Sequence, residues 1–191
     1  MIFPIITLAE PQKHVKHKHV KDKYWTKKYD RHFKKNSKHY FGPAVNWRLF
    51  KAQAIAESNL NPKAVSHKGA LGIMQIMPRT YKEIITKKTN FGKINEPRWN
   101  IAAAIYYNRQ LYKRWTKKNI STEERMNFMF ASYNAGFYNI LKARKKLRKT
   151  LEKDNVYTEK IVREWEHIAP FVPSQTRHYV RKINCLMDVK K

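Results

Sequence analysis

One carboxylate stands by itself in the stretch Ala56-Glu57-Ser58-Asn59-Leu60-Asn61-Pro62. The acidic residue before Glu57 is Asp30 and the next after it is Glu83. A carboxylic acid can give a proton to a leaving oxygen and later, as carboxylate, take one up, provided its pKa lies near the working pH. Contact with apolar groups moves it there, because the charged form loses hydration. Glu57 closes an apolar run, which makes it a candidate for a glycosidase-type acid. Taken alone, its position equally fits a solvated glutamate at a helix end.

Helices must position it. Across residues 43–58, Val45, Leu49, Ala52 and Ala56 recur at helical spacing, with Phe50, Ala54 and Glu57 on an adjoining face and Pro43 suited to a first turn. Asn, Pro, Ser and Gly over 59–70 predict a loop, and Pro78 opens a short helix through Ile85. Further helices are expected over 99–115, over 121–134 behind the Ser121-Thr-Glu-Glu124 capping box, and from Gly136 to about Leu151. In that last one Ile140, Ala143, Leu147 and Leu151 form one stripe. Segments 156–168 and 174–187 complete the set. Without a strand pair, an internal repeat or a linker inside 43–187, the expected fold class is all-α.

Several ordered motifs surround the carboxylate. They are Glu57-Ser58, Asn61-Pro62-x-Ala64-x-Ser66, Gly69-Ala70-Leu71-Gly72-Ile73-Met74-Gln75-Ile76-Met77-Pro78-x-Thr80, Asn100-Ile101 with Tyr107, Ser132-Tyr133-Asn134-Ala135-Gly136, and Gln175-Thr176-x-x-Tyr179-Val180. In this combination, over about residues 44–183, the chain resembles the soluble lytic transglycosylase family, whose relatives include goose-type lysozyme. The resemblance implies a lysozyme-like helical domain acting on peptidoglycan glycan strands without metal or organic cofactor. It implies Glu57 as sole catalytic acid/base, Ser66, Gln75, Met77, Tyr133 and Asn134 along the sugar cleft, and Tyr179 near the catalytic carboxyl. The chain departs from the family's pattern in having Ala104 where Gly is usual, and Gln175 where Glu is frequent.

The chemistry of the residues is compatible with this. Most glycosidases flank the scissile bond with two carboxyls, yet none lies between Ser58 and Lys82. One Glu suffices if it protonates the leaving oxygen and then deprotonates a hydroxyl of the same substrate. In a transglycosylase that hydroxyl is the C6-OH of N-acetylmuramic acid (MurNAc), and the product is a 1,6-anhydro ring. A hydrolytic, goose-type muramidase is the alternative enzyme. Plainer roles stand beside each site assignment: Tyr133 to Gly136 as a helix ending on glycine, Ser66 as a loop cap, Met74 and Met77 as core packing. Gln75, polar within an apolar run, requires a partner.

Composition frames the rest. With 41 Lys and Arg against 14 Asp and Glu, the formal charge of +27 draws polyanions: nucleic acid, anionic lipid or acidic wall polymer. A basic nucleic-acid- or envelope-binding protein on a degenerate lysozyme scaffold is therefore the reading from outside the enzymes. The 191 residues suit one domain, 43–191, and a basic arm, 1–42. Residues 11–42 are dominated by Lys and His and read as a largely disordered arm able to hold anionic wall polymer. Its aromatic residues favour some packing on the domain. His14, His17 and His19 match no standard metal-site spacing. Residues 1–8 with Thr7-Leu8-Ala9 form a short signal-like start without a basic n-region. The expected location is the cell envelope, reached by export or by delivery from a phage particle or secretion apparatus. No apolar run is long enough for a membrane span, and the single Cys185 allows no internal disulfide.

Overall fold

Helical spacing of apolar residues organises nearly all of the chain that the computed structural model describes, residues 25–88, 90–116 and 119–188. Eight α-helices follow: α1 Asp30–Phe41, α2 Arg48–Ser58, α3 Pro78–Lys87, α4 Pro97–Thr116, α5 Thr122–Ala135, α6 Phe137–Lys153, α7 Trp165–Ile168 and α8 Ser174–Asp188. Among the described residues there is no named strand. Two isolated bridges, Val65 with Leu71 and Leu71 with Ile76, draw the loop after α2 together.

Helices α4 and α5 form the centre. Ile101, Ala103, Ala104 and Ile105 of α4 are wholly buried, and the run of alanines lets neighbouring backbones approach closely. Ala104, the position where a glycine was expected, sits within this packed face. The α4 helix lies against α1 and α5, while α5 also meets α6 and α8, and α2 lies against α8 and α1. Trp115 Nε1 donates to Ser132 Oγ at 3.0 Å, which satisfies a polar tip deep between α4 and α5. The expected stripe of α6 faces inward, with Ile140, Ala143 and Leu147 buried.

The capping box at α5 forms by half. Ser121 Oγ accepts from the Glu124 N–H at 3.2 Å. The Glu124 carboxylate instead accepts from the Trp165 N–H at 2.7 Å and so clamps α7 onto α5.

Three boundaries differ from expectation. The arm does not run to Gly42: α1 packs against α4, with Phe33 fully buried and Tyr29 nearly so. Tyr29, Phe33, Ser37 and Tyr40 are spaced as a helical face, and the intervening Lys and His form the solvated side that obscures it in sequence. Pro43 is outside any helix, because α2 begins only at Arg48. Residues 156–168 are not one helix but a 3-10 turn, Ile161–Arg163, followed by α7, with Glu164 extended between them. The expectations for residues 1–24, including His14, His17, His19 and the signal-like start, lie outside the described residues. None of the described helices is long and apolar enough to cross a membrane.

Candidate active site

Glu57 occupies the last turn of α2. The helix ends there because Asn59 takes a left-handed conformation, φ 53°, and its N–H caps the Ile55 carbonyl at 3.0 Å. The chain then turns back as a loop that side chains from three helices hold in place. Asn100 of α4 is fully buried and works as a peg, its Oδ1 accepting from the Met74 N–H at 2.8 Å and its Nδ2 donating to the Leu71 and Ile94 carbonyls at 2.9 Å. Position 72 must be glycine: φ is +75°, and a Cβ there would meet Asn100 Nδ2 at 2.7 Å. From α5, Tyr133 Oη donates to the Met74 carbonyl at 2.8 Å, and from α2, Ser58 Oγ donates to the Ile73 carbonyl at 2.8 Å. Asn100, Tyr133 and Ser58 thus pair backbone groups at Leu71, Ile73, Met74 and Ile94.

The carboxyl of Glu57 accepts a hydrogen bond from Tyr179 Oη of α8 at 2.6 Å. Some of the residue still touches solvent, but dense surroundings strip water from the carboxyl. Burial raises its pKa to about 7, against the smaller lowering effects of the Tyr179 bond and the Lys182 charge. No carboxylate among the described residues contributes to that shift, so Glu57 titrates without an acidic partner. Burial, with the Glu57 charge beside them, also holds the phenols of Tyr179 and Tyr133 well above the usual tyrosine range. Both therefore stay neutral donors at any physiological pH. Behind Tyr179, the buried Gln53 and Asn108 pair at 2.6 Å across α2 and α4.

The other expected residues divide by what their atoms already do. Tyr133 and Tyr179 converge on the Glu57 region from two helices. Gln75, at φ 47°, folds its Nε2 onto the Ala64 and Gly72 carbonyls at 3.1 and 2.9 Å, which answers the need for a partner within the loop itself. Ser66 Oγ accepts from the Ala70 N–H at 2.9 Å and makes no hydrogen bond to Glu57, so its visible role is the loop cap. Met77 is 41% exposed just before α3 and contributes little to the core. Asn134 Oδ1 accepts from Thr176 Oγ1 at 2.9 Å, tying α5 to α8. Gln175 is exposed.

Two neighbours were not singled out as site residues. Tyr107 lies seven residues after Asn100 on α4, hence on nearly the same face, and its ring meets that of Tyr133 at 5.6 Å between centroids. Lys182 is three residues beyond Tyr179 on α8 and reaches the Ala56 carbonyl at 3.4 Å. Spacing from a named residue was the available signal in both cases.

The Transglycosylase SLT domain profile matches residues 33–156. The chain belongs to this family. The SLT match begins at Phe33, inside α1, in agreement with the helix extending the folded unit upstream of residue 43. Membrane-bound lytic murein transglycosylase F of Photobacterium profundum is 31% identical over 127 residues, 66% of this chain and 23% of that protein. The protein of the same name from Maricaulis maris is 29% identical over 136 residues, 70% of this chain and 26% of the relative. Among solved structures, the 70 kDa soluble lytic transglycosylase of Escherichia coli superposes with a TM-score of 0.60 at 26% identity, covering 83% of this chain and 23% of that one. A complex of the 70 kDa enzyme with bulgecin A matches equally, with a TM-score of 0.60 at 25% identity and the same coverage of both chains. This SLT chain therefore spans about a quarter of the length of the relatives it matches. Its fold is the all-α, lysozyme-like one.

Proposed function

We propose that this SLT domain is a peptidoglycan lytic transglycosylase that cleaves the β-1,4 bond between MurNAc and N-acetylglucosamine. The observation that carries the reading is Glu57: a carboxyl desolvated enough to be half protonated near pH 7, bonded to a neutral phenol and without an acidic partner among the described residues. Protonated Glu57 gives its proton to the glycosidic oxygen as the C1–O4 bond breaks, and the substrate's acetamido oxygen shares the positive charge left at C1. The carboxylate then accepts the C6-OH proton while O6 bonds to C1. Glu57 ends protonated, the strand ends in 1,6-anhydroMurNAc, and no water is consumed. Because the attacking hydroxyl is tethered to the reacting ring, its delivery costs little further entropy. Tyr179 holds the carboxyl in one orientation and favours its charged form in the second step.

Ser66, Gln75, Met77, Tyr133 and Asn134 are proposed to line the sugar subsites. The exposed Met77 thioether offers an apolar surface to a pyranose face, and the Asn134 amide nitrogen has no hydrogen-bond acceptor among the described residues. Peptidoglycan as substrate puts the site of action in the cell envelope, where the cationic segment upstream of α1 would bind anionic wall polymer.

Mass spectrometry of muropeptides released from purified sacculi tests the reading. Transglycosylation yields ends lighter by one water and inert to borohydride as the main early product. Mainly reducing MurNAc ends would assign a goose-type hydrolase instead. No release, together with preferential retention on duplex DNA, would assign the binding-protein reading.

A further inference from the structure

A cavity of about 510 Å³ opens between α6 and the segment leading into α7, away from Glu57, and four cations line it against one carboxylate. Arg144 stands eight residues past Gly136, roughly 12 Å along the helix at 1.5 Å per residue. Like charges do not converge on a hollow without cost, and surface arginines and lysines ordinarily spread apart into water.

The ion pairs show which of these charges are already answered. Arg148 pairs with Glu152 at 2.7 Å, and Arg163 with Glu159 at 3.1 Å. Arg144 and Lys145 have no carboxylate within ion-pair distance among the described residues. Arg144 is half-buried, and its Nε donates to the Val162 carbonyl at 2.7 Å, which fixes the plane of the guanidinium and leaves its two terminal nitrogens for an external acceptor. Burial pushes Arg144 below the usual arginine range even with the Glu159 charge nearby. The Nε of Arg163 is buried and has no acceptor among the described residues. Arg148 stacks over the Tyr157 ring, 5.0 Å from its centroid, which stiffens the rim.

We propose that this cavity is a binding site for an organic phosphomonoester, separate from the glycan cleft. A dianionic phosphate balances the two unanswered cations, and its tetrahedral oxygens suit a fixed guanidinium fork together with an ammonium. A single carboxylate would neutralise one of them and use one fork. The volume falls in the range of sites for small organic ligands and exceeds what a bare ion needs. Leu141 and Val162 supply apolar wall for a carbon body, and the Tyr157 ring adds to the rim, where its hydroxyl donates to Glu159. A polyol phosphate fits that combination, either free or as the phosphorylated end of a wall polymer.

The site is tested by calorimetry with the whole chain at physiological ionic strength, where the general +27 field is screened beyond about 8 Å. Glycerol 1-phosphate should bind saturably at one site per chain, and Arg144→Gln should weaken it about tenfold or more. Lys145→Gln, at an exposed position, should weaken it several-fold, so the test survives if the Arg144 variant misfolds. A control pair on the exposed basic face of α1, Arg31→Gln with Lys34→Gln, should leave it within about twofold. Equal weakening by control and cavity variants would overturn the site as a general charge effect, and so would unaltered binding in Lys145→Gln. Succinate binding as tightly as glycerol 1-phosphate would overturn the phosphate assignment in favour of a carboxylate. A glycerol phosphate oligomer with a free terminal monoester should compete, whereas tighter binding of the same oligomer with blocked ends would replace the monoester by internal diesters. Glu57→Gln should bind glycerol 1-phosphate like the unaltered chain, which separates failure of this site from failure of the catalytic reading.

Discussion

Helix α2 carries two buried ionisable side chains six residues apart, and they are treated in opposite ways. Lys51, 1% exposed, is fully provided for: its ammonium meets Asp30 Oδ1 and the Thr26 carbonyl at 2.5 Å, and the Trp25 and Trp47 rings lie within 5.9 Å of it. Glu57 receives one phenol and the distant pull of Lys182. A buried charge surrounded by partners is a fastening, since any change in it leaves several groups unsatisfied. A buried acid with one neutral partner is left near balance between its two protonation states, as proton transfer requires.

Removing the acid from its end of the helix is the sharpest way to break that contrast. Glu57→Gln should lower turnover of sacculi by about 10²- to 10⁴-fold or more while leaving the helical content unchanged. Residual activity above about a tenth would end the assignment. The same variant carries a stability signature whose sign follows from the direction of the shift. Glu57 titrates near 7 when folded, above the 4.5 of an unperturbed glutamate. The native state is therefore most favoured below pH 4.5 and loses that contribution as pH rises through 7. Glu57→Gln, which cannot ionise, should melt higher than the unaltered chain at pH 8, and the gap should close toward pH 4.5. A gap independent of pH would mean that the carboxyl is solvated after all.

At the other end of α2, Asp30→Ala should leave Lys51 charged, buried and short of its counter-ion, costing about 3–5 kcal/mol in denaturant unfolding. A loss under about 1 kcal/mol would show that the Thr26 carbonyl and the rings suffice. Because Asp30 and Phe33 anchor α1, deleting residues 11–42 should destabilise the domain as well as remove charge.

The smallest effect is expected at the hydrogen bond itself. Tyr179→Phe removes the interaction that favours the ionised form, so the pKa of Glu57 should rise and the alkaline limb of kcat/KM should move up by about one unit. Turnover should fall roughly tenfold. An unmoved alkaline limb with reduced turnover would limit Tyr179 to holding the carboxyl in position.

Much of this contrast was visible along the chain, and what was not has an identifiable cause. The long helices followed from periodicity because their apolar stripes are local: α4, α5, α6 and α8 lie within two residues of expectation at every end. Segment 156–168 failed because Glu164 turns extended where the Glu124 carboxylate captures the Trp165 N–H, a contact 41 residues away that no window can contain. The helix α1 was hidden for a different reason, since only Tyr29, Phe33, Ser37 and Tyr40 mark its inward face amid cations. The contents of the cleft were legible as residue types but not as tasks. Gln75 and Ser66 turned out to spend hydrogen-bonding atoms on the loop, and Tyr107 and Lys182 joined the Glu57 surroundings through helix packing.

The sequence by itself determined the all-α class, the family's motifs and the isolation of one carboxylate, because these depend on short-range spacing and on which residues are present at all. Tertiary structure alone decided that Glu57 is desolvated, that Tyr179, 122 positions later, is its partner, and that Arg144 and Lys145 line one cavity with no carboxylate at ion-pair distance from them among the described residues. Desolvation and charge pairing are properties of the space around an atom, and helices distant in sequence fill that space.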